Sequence, residues 1–308
     1  MERIAVLIPC YNEEKTIAKV VSDFRRHLPA AEIYVYDNNS ADRSVEEAKK
    51  AGAIVRFERR QGKGNVVRAM FSEIEADIYL LVDGDDTYPA DKANELIAPI
   101  MNGDSDMVIG SRLHKLSRSS FNLINRAGNI LFIFVVNSFF RIGITDLLSG
   151  YRAFNREVVK NLPVLSRGFE IETELTIASM ERNYRISEIP VALADRPDGS
   201  RSKIRIWHDG FIILGTIFSF FRDYKPLTAF GLMGLLFVMA GIVPGAIVID
   251  EFIKTGLISR IPSAILAIGL VLTGLIISVA GLLLHAISRR FQALDCQLRN
   301  YMRSIDKR

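Results

Sequence analysis

Residues 78–89 read Ile78-Tyr79-Leu80-Leu81-Val82-Asp83-Gly84-Asp85-Asp86-Thr87-Tyr88-Pro89. Five apolar residues with a β-branched member at each end make a short buried strand, and the abrupt change to carboxylates, glycine and proline ends it. A strand that is apolar on both faces belongs inside a parallel sheet covered by helices. The surrounding chain agrees. Strands are predicted over 3–8, 33–36, 53–57 and 107–109, and helices over 14–27, 44–51, 64–75 and 92–101. Strand–helix alternation with short connections gives an α/β fold, a mostly parallel sheet flanked by helices. In such sheets ligands bind beyond the carboxyl ends of the strands. Polar clusters follow three of them: Pro9-Cys10-Tyr11-Asn12-Glu13-Glu14, Asp37-Asn38-Asn39-Ser40-Ala41-Asp42, and the Asp83–Pro89 run.

The rest of the composition narrows the class. The chain has 308 residues, and its 39 basic against 35 acidic side chains leave a charge of +4, too small an excess for a nucleic-acid partner. With 24% charged and 49% hydrophobic residues it is no disordered tail. Two cysteines and four scattered histidines exclude a disulfide scaffold and a zinc finger. A mean hydropathy of +0.19 is high for a soluble enzyme, and the excess sits in residues 227–249 and 261–287, which contain no Asp, Glu, Lys or Arg. Each is longer than the roughly 20 residues that cross a bilayer. A polar turn over 250–260 separates them. Arg222 and Lys225 lie before the pair, and Arg289, Arg290, Arg299 and Arg303 after it, so the positive-inside rule puts both termini in the cytoplasm. The short apolar run at residues 4–10 is no signal peptide. The expected layout is a cytosolic domain over 1–203, with 119–142 as an interfacial or buried helix. A juxtamembrane amphipathic helix follows over 204–226, then spans over 227–249 and 261–287 and a cytosolic tail over 288–308. The chain is thus expected in an inner or plasma membrane.

The polar clusters suggest chemistry. Asp83, Asp85 and Asp86 crowd carboxylates whose repulsion a cation relieves, and a short turn of oxygen ligands suits Mg²⁺ or Mn²⁺ completed by substrate phosphates. Asp37, leaving the second strand, can accept from the imide of uracil or from guanine; an Asx turn is the alternative, with Asn38, Asn39 and Ser40 alongside. Gln61-Gly62-Lys63-Gly64-Asn65 opens a helix, where backbone N–H groups and Lys63 could approach a nucleotide. The spacing is not that of a P-loop, and no Gly-x-Gly-x-x-Gly follows the first strand.

Together with Ser149-Gly150-Tyr151-Arg152 and Arg196-Pro197-Asp198-Gly199-Ser200-Arg201-Ser202-Lys203, the three clusters carry a resemblance. The first 220 residues resemble the family 2 glycosyltransferases with the GT-A fold. The match is closest to the polyisoprenyl-phosphate glycosyltransferases, which include dolichyl-phosphate mannose synthases and GtrB-like enzymes. The resemblance implies that Pro9, Tyr11 and Glu13 line the nucleotide pocket and that Asp37 contacts the base. It puts Asp83 at the ribose or sugar and makes Asp85, with Asp83 as a second carboxylate, the ligand of Mg²⁺ or Mn²⁺. Arg196, Ser202 and Lys203 would hold the donor phosphates, and Arg112 and Arg126 the acceptor phosphate. Asp146 matches the aspartate proposed as base, with Glu172 as runner-up.

The implied reaction is inverting transfer of a sugar from a nucleotide diphosphate donor to a polyprenyl phosphate (undecaprenyl or dolichyl) at the cytosolic membrane face. Thr87, Asp37-Asn38 and Asn129-Ile130 depart from the mannose synthase pattern, which favours a UDP-sugar over GDP-mannose. Transfer to a lipid-linked sugar hydroxyl and a non-catalytic nucleotide-sugar binder are the other readings. A processive polysaccharide synthase is excluded by the absence of Gln-x-x-Arg-Trp around the single tryptophan, Trp207. GtrB-like relatives are tetramers, and Gly231, Gly241 and Gly245 offer faces on which a homotetramer could associate through its spans.

Overall fold

β1 (Ile4–Cys10) lies between two neighbouring strands and is covered on both faces, which is why its sequence is apolar almost throughout. The computed structural model describes residues 2–112, 133–134, 136–138, 143–168, 170–194, 215 and 218–306. After β1 come α1 (Ile17–His27), β2 (Glu32–Asp37), α2 (Ser44–Lys50), β3 (Ile54–Phe57), α3 (Lys63–Glu73) and β4 (Ile78–Leu81). A 3₁₀ turn (Ala90–Lys92) leads into α4 (Ala93–Met101) and β5 (Met107–Ser111). Then follow β6 (Arg152–Asn155), α5 (Arg156–Asn161), α6 (Ile171–Glu181) and β7 (Ile186–Pro190).

The seven strands are ordered β3-β2-β1-β4-β6-β5-β7. β1 pairs in parallel with β2 and β4, and β2 with β3. β6 runs antiparallel between β4 and β5, and β5 pairs in parallel with β7. The twofold alternation of a strand sends Ala5 and Leu7 into one core with α3, α5 and α6, and Val6 and Ile8 into the other with α1 and α4. The expected mostly parallel α/β sheet is therefore present. β6 and β7 were not expected from the sequence. β6 begins with a fully buried arginine, Arg152. β7 carries Glu188 and ends on Pro190, as an edge strand does.

The chain divides into two units, Met1–Ile217 and Phe218–Arg308. In the second, α7 (Pro226–Thr255) and α8 (Ile261–Asp306) are both long and apolar enough to cross a membrane. Pro226 starts α7, where its missing N–H costs nothing, and Gly256 ends it in the left-handed region at φ 70°. α7 therefore runs through residues 250–255, supported by the Lys254–Asp250 pair at 2.7 Å. The turn expected over 250–260 shortens to 256–260. α8 continues past 287 as helix to Asp306.

Small residues let the two helices touch. A Cβ on Gly234 would lie 2.6 Å from the Gly274 carbonyl oxygen, and one on Gly241 2.9 Å from that of Ala267. Gly241 is thus used inside the hairpin, whereas Gly231 faces open space. The helices expected over 119–142 and 204–226 lie largely outside the described residues.

Candidate active site

β2, β1 and β4 are adjacent and parallel, so the loops leaving their carboxyl ends stand side by side. Side chains fasten the loops to one another. Asn12, at φ 52°, donates its backbone N–H to Ser40 Oγ (2.9 Å) and accepts from the Ala41 N–H through Oδ1 (2.8 Å). The Glu13 N–H donates to Ser44 Oγ at 2.7 Å. Thr16 Oγ1 donates to the Gly84 carbonyl at 2.7 Å, tying α1 to the loop after β4. Pro9 is thus the penultimate residue of β1, Glu13 is held through its backbone in the loop that follows, and Tyr11 is exposed.

Asp37 ends β2 opposite Cys10. Its carboxylate is 4% exposed. Oδ2 accepts from the Ser40 N–H at 3.2 Å, but Oδ1 is buried and has no protein partner. Such an orphaned acceptor is costly and calls for an explanation. The neighbouring asparagine does the local structural work instead: Asn38 Nδ2 donates to the carbonyls of Glu58 (2.8 Å) and Arg60 (2.9 Å), and Asn38 Oδ1 accepts from the Gly62 N–H at 2.7 Å. Asp37 thus makes the expected Asx turn through Oδ2, Asn38 and Asn39 tie the segment to the 58–62 loop, and Asp37 Oδ1 is left without a protein partner.

Lys63 opens α3 and lies between two carboxylates, with Nζ 2.5 Å from Asp83 Oδ1 and 2.5 Å from Glu172 Oε1. Burial lowers its pKa, but the attraction of Asp83 and Glu172 and the hydrogen bonds to both outweigh this, and the ammonium is held above the ordinary lysine value. The flanking glycines serve packing. A Cβ on Gly62 would collide with the Arg167 carbonyl oxygen, and one on Gly64 with that of Ser166. The Gly64 N–H, a candidate phosphate donor by sequence, is already given to Arg167 O at 3.0 Å.

On its other side Asp83 rests against Gly150, on which a Cβ would collide with Asp83 Oδ2. Gly150→Ala should therefore displace a carboxylate that Lys63 already pins. We expect a fall in kcat/KM of about 10²-fold, the effect of roughly 1 Å of misplacement, read from steady-state transfer rates.

Asp85 is buried, and its Oδ1 accepts from Thr87 Oγ1 (2.6 Å) and the Thr87 N–H (3.3 Å). Asp86 turns away at φ 61° and pairs with Lys19 at 2.7 Å. Among the described residues no group of three or more His, Cys, Asp or Glu is arranged to hold a metal ion. The carboxylates available are Asp85, oriented by Thr87, and Asp83, engaged by Lys63. Hard oxygen donors this few fit Mg²⁺ or Mn²⁺, which take one or two carboxylates and complete their shell with phosphate oxygens; they do not make a closed protein cage.

Asp146 is fully buried and accepts four hydrogen bonds: from Arg112 Nε (2.7 Å), Arg112 Nη2 (2.8 Å), the Arg112 N–H (2.9 Å) and the Leu148 N–H (3.2 Å). Burial lowers the Arg112 pKa, but nearby Tyr88 and Asp146 override it, and the guanidinium is held above its usual value. Two charged residues for which no role was expected, one of them the arginine of the Ser149–Arg152 motif, support this pair. Glu188 on β7 accepts the Thr145 and Asp146 N–H groups, each at 3.0 Å. Arg152, with no exposed surface, donates to the carbonyls of Leu147 and Ser149 (both 2.8 Å) and to Thr176 Oγ1 (2.7 Å). The signal available for Arg152 was a basic residue inside an otherwise apolar Tyr-Arg-Ala-Phe run. Glu174 and Glu170, by contrast, hold the 165–168 segment through its N–H groups. Arg126, Arg196, Ser202 and Lys203 lie outside the described residues.

Residues 5–162 match the Glycosyl transferase family 2 profile. The chain is 36% identical over 246 residues to the glycosyltransferase AglJ of Haloferax volcanii, covering 78% of this chain and 79% of that one. It is 31% identical over 193 residues to a dolichyl-phosphate hexose transferase of the same organism, covering 63% and 83%. In fold it is similar to glucosyl-3-phosphoglycerate synthase from Mycobacterium tuberculosis, solved with Mn²⁺, UDP and phosphoglyceric acid. The TM-score is 0.61 at 21% identity, over 71% of this chain and 78% of that one. With its sheet, its strand-end carboxylates and these matches in agreement, the chain belongs to glycosyl transferase family 2.

Proposed function

We propose that the protein transfers a sugar, with inversion, from a nucleotide diphosphate donor to a polyprenyl phosphate at the cytosolic face of a membrane that α7 and α8 cross. The observation that carries this is the buried, unpartnered Asp37 Oδ1, one strand removed in the sheet from the loop that holds Asp85. It is an acceptor for a base, placed beside carboxylates suited to a metal–diphosphate. A UDP-sugar is the favoured donor, because the residues at 37–38, 87 and 129–130 depart from the mannose synthase pattern.

The acceptor phosphate oxygen attacks the anomeric carbon, the C–O bond to the diphosphate breaks, and nucleoside diphosphate leaves. A divalent cation held by Asp85, with Asp83 beside it, would supply charge neutralisation at the diphosphate. Asp37 fixes the base, and Lys63 fixes Asp83 against the ribose or sugar. Arg112 steers the acceptor phosphate toward the donor, against the repulsion of two anions.

A phosphate monoester's second pKa is about 6, so near neutrality it is mostly a dianion and needs no base. Asp146, with no exposed surface and four donors on its carboxylate, is then a positioning residue for Arg112. Asp146→Asn should leave the single-turnover rate at saturating donor and acceptor within about tenfold of wild type, whereas loss of a general base costs 10²–10⁴-fold.

The direct test supplies membranes or purified protein with polyprenyl phosphate and radiolabelled UDP- or GDP-sugars. Label entering an organic-extractable, mild-acid-labile lipid supports the reading, and label staying in the aqueous phase with every donor sinks it. UDP or GDP as competitive inhibitor identifies the base. Asp37→Ala should raise donor KM about 10–100-fold with kcat little changed, the worth of a hydrogen bond to a charged group.

A further inference from the structure

Arg112 and Asp146 are each held through the residue before them, and both holds come from β7. Ser111 ends β5 opposite Pro190, and its carbonyl accepts the Val191 N–H at 2.9 Å. Thr145 shares its N–H between the two oxygens of Glu188, each at 3.0 Å, and its Oγ1 donates to Glu188 Oε2 at 2.8 Å. The two anchors also meet, with Ser111 Oγ and Thr145 Oγ1 2.9 Å apart. Glu188 Oε1 then takes the Asp146 N–H itself at 3.0 Å.

Residues 143–151 form neither helix nor strand, so no ladder fixes the backbone that carries Asp146, and its donors need acceptors from elsewhere. A charged side chain on an edge strand usually keeps other strands away. Glu188 turns inward instead and directs its hydrogen-bond contacts to two consecutive residues, Thr145 and Asp146. Past β7 the same stretch reaches the other half of the site. The Ala194 N–H donates to the Thr87 carbonyl at 2.9 Å, and Thr87 is the residue that orients Asp85. Residues 188–194 therefore touch the Arg112–Asp146 pair, the end of β5 and the carboxylate loop after β4.

We propose that Glu188 is a positioning residue for the acceptor phosphate: acting through Thr145 and Asp146, it sets where the Arg112 guanidinium stands relative to the carboxylates of the β4 loop. The inference rests on the reading of Arg112 as the group that steers a polyprenyl phosphate. The donor side is fastened independently, by the backbone at Ala194 and by Lys63 on Asp83. Loss of the Glu188 carboxylate therefore acts on one substrate and spares the other.

The test measures transfer by the full chain from radiolabelled UDP- and GDP-sugars to a short-chain polyprenyl phosphate. Glu188→Leu should raise the acceptor KM about 10–100-fold, the worth of hydrogen bonds to a charged group, with the donor KM within about twofold of wild type. A purely structural role would lower the amount of active enzyme and leave both KM values alone. Glu188→Gln keeps the side-chain length and one acceptor oxygen, but its amide NH₂ cannot accept from Thr145. It should raise the acceptor KM about three- to tenfold, again with the donor KM unchanged, so the comparison survives if Glu188→Leu does not fold. Arg112→Lys keeps the charge and loses the two-point contact with Asp146. Adding Glu188→Leu to Arg112→Lys should then change the acceptor KM by less than about threefold, since both act on one group. An acceptor KM that is unchanged or moves together with the donor KM, or effects of Glu188→Leu and Arg112→Lys that simply multiply, overturns the role of Glu188 alone. Wild type that labels no lipid with any of these donors overturns the proposed transfer, and the positioning role with it.

Discussion

Asp85→Asn should lower kcat/KM by about a thousandfold, roughly 4 kcal/mol of transition-state stabilisation, while leaving the fold intact. The side-chain oxygen of asparagine can still accept from Thr87 Oγ1 and the Thr87 N–H, which hold Asp85 Oδ1 at 2.6 and 3.3 Å. The loop after β4 therefore keeps this anchor while the negative charge is lost. Among the described residues no cluster of three or more metal-ligating side chains is available to take over the site. A cation there would depend on Asp85, Asp83 and the donor's own phosphates, and half of the Asp83 carboxylate is already committed to Lys63. The loss should therefore show as a steep rise in the Mg²⁺ or Mn²⁺ concentration needed for transfer, with a thermal midpoint close to wild type. Activity within tenfold of wild type at the same metal concentration would remove Asp85 from the metal site.

The parts of this site legible in the sequence are those where one strand's apolar run meets a polar loop. β1, β2 and β4 each make that change, and their adjacency follows from the parallel order. What the sequence did not disclose is that Arg152 is buried and what Arg152 and Glu188 each hold. Arg152 begins β6, a strand inserted antiparallel between β4 and β5. A fully buried arginine disguises a strand, because its partners, the carbonyls of residues 147 and 149 and Thr176, are assembled only by the fold. Glu188 is hidden in the same way, since its ligands are backbone N–H groups 42 and 43 residues away. Composition cannot separate Asp37 from Asn38 either. The distinction lies in which side chain the β3–α3 loop closes on, and that loop closes on Asn38. The length of α8 escaped a reading based on hydropathy, because charge at Arg289 and Arg290 ends an apolar window without ending a helix.

Lys63→Met should be the most destabilising single change at the site, by about 3–5 kcal/mol, the cost of stripping the partner from a buried charge. The Glu172 side chain is only 5% exposed and that of Asp83 is 28% exposed, so the penalty falls mainly on Glu172, which water cannot reach. Arg152 offers partial compensation through space: its own pKa is lowered by burial and raised in part by Glu172 and Asp146. Its hydrogen bonds, however, go to carbonyls and Thr176.

The Lys63 pKa is raised in the folded state, so the pair's contribution is fully present below the unfolded lysine value of about 10.4 and fades only above it. The gap between wild-type and variant stability contributed by this lysine should accordingly show no step between about pH 7 and 9. Removing the second charge separates stability from function. Lys63→Met/Glu172→Leu takes the uncompensated carboxylate out of the interior and should recover most of the lost stability, as replacing a whole buried ion pair by apolar residues often does. Transfer should stay at least about 10²-fold down, because Asp83 is then held by Gly150 alone and drifts from the donor. A double variant that regains both stability and rate would show that Lys63 serves only to neutralise Glu172, and Asp83 would need another source for its orientation.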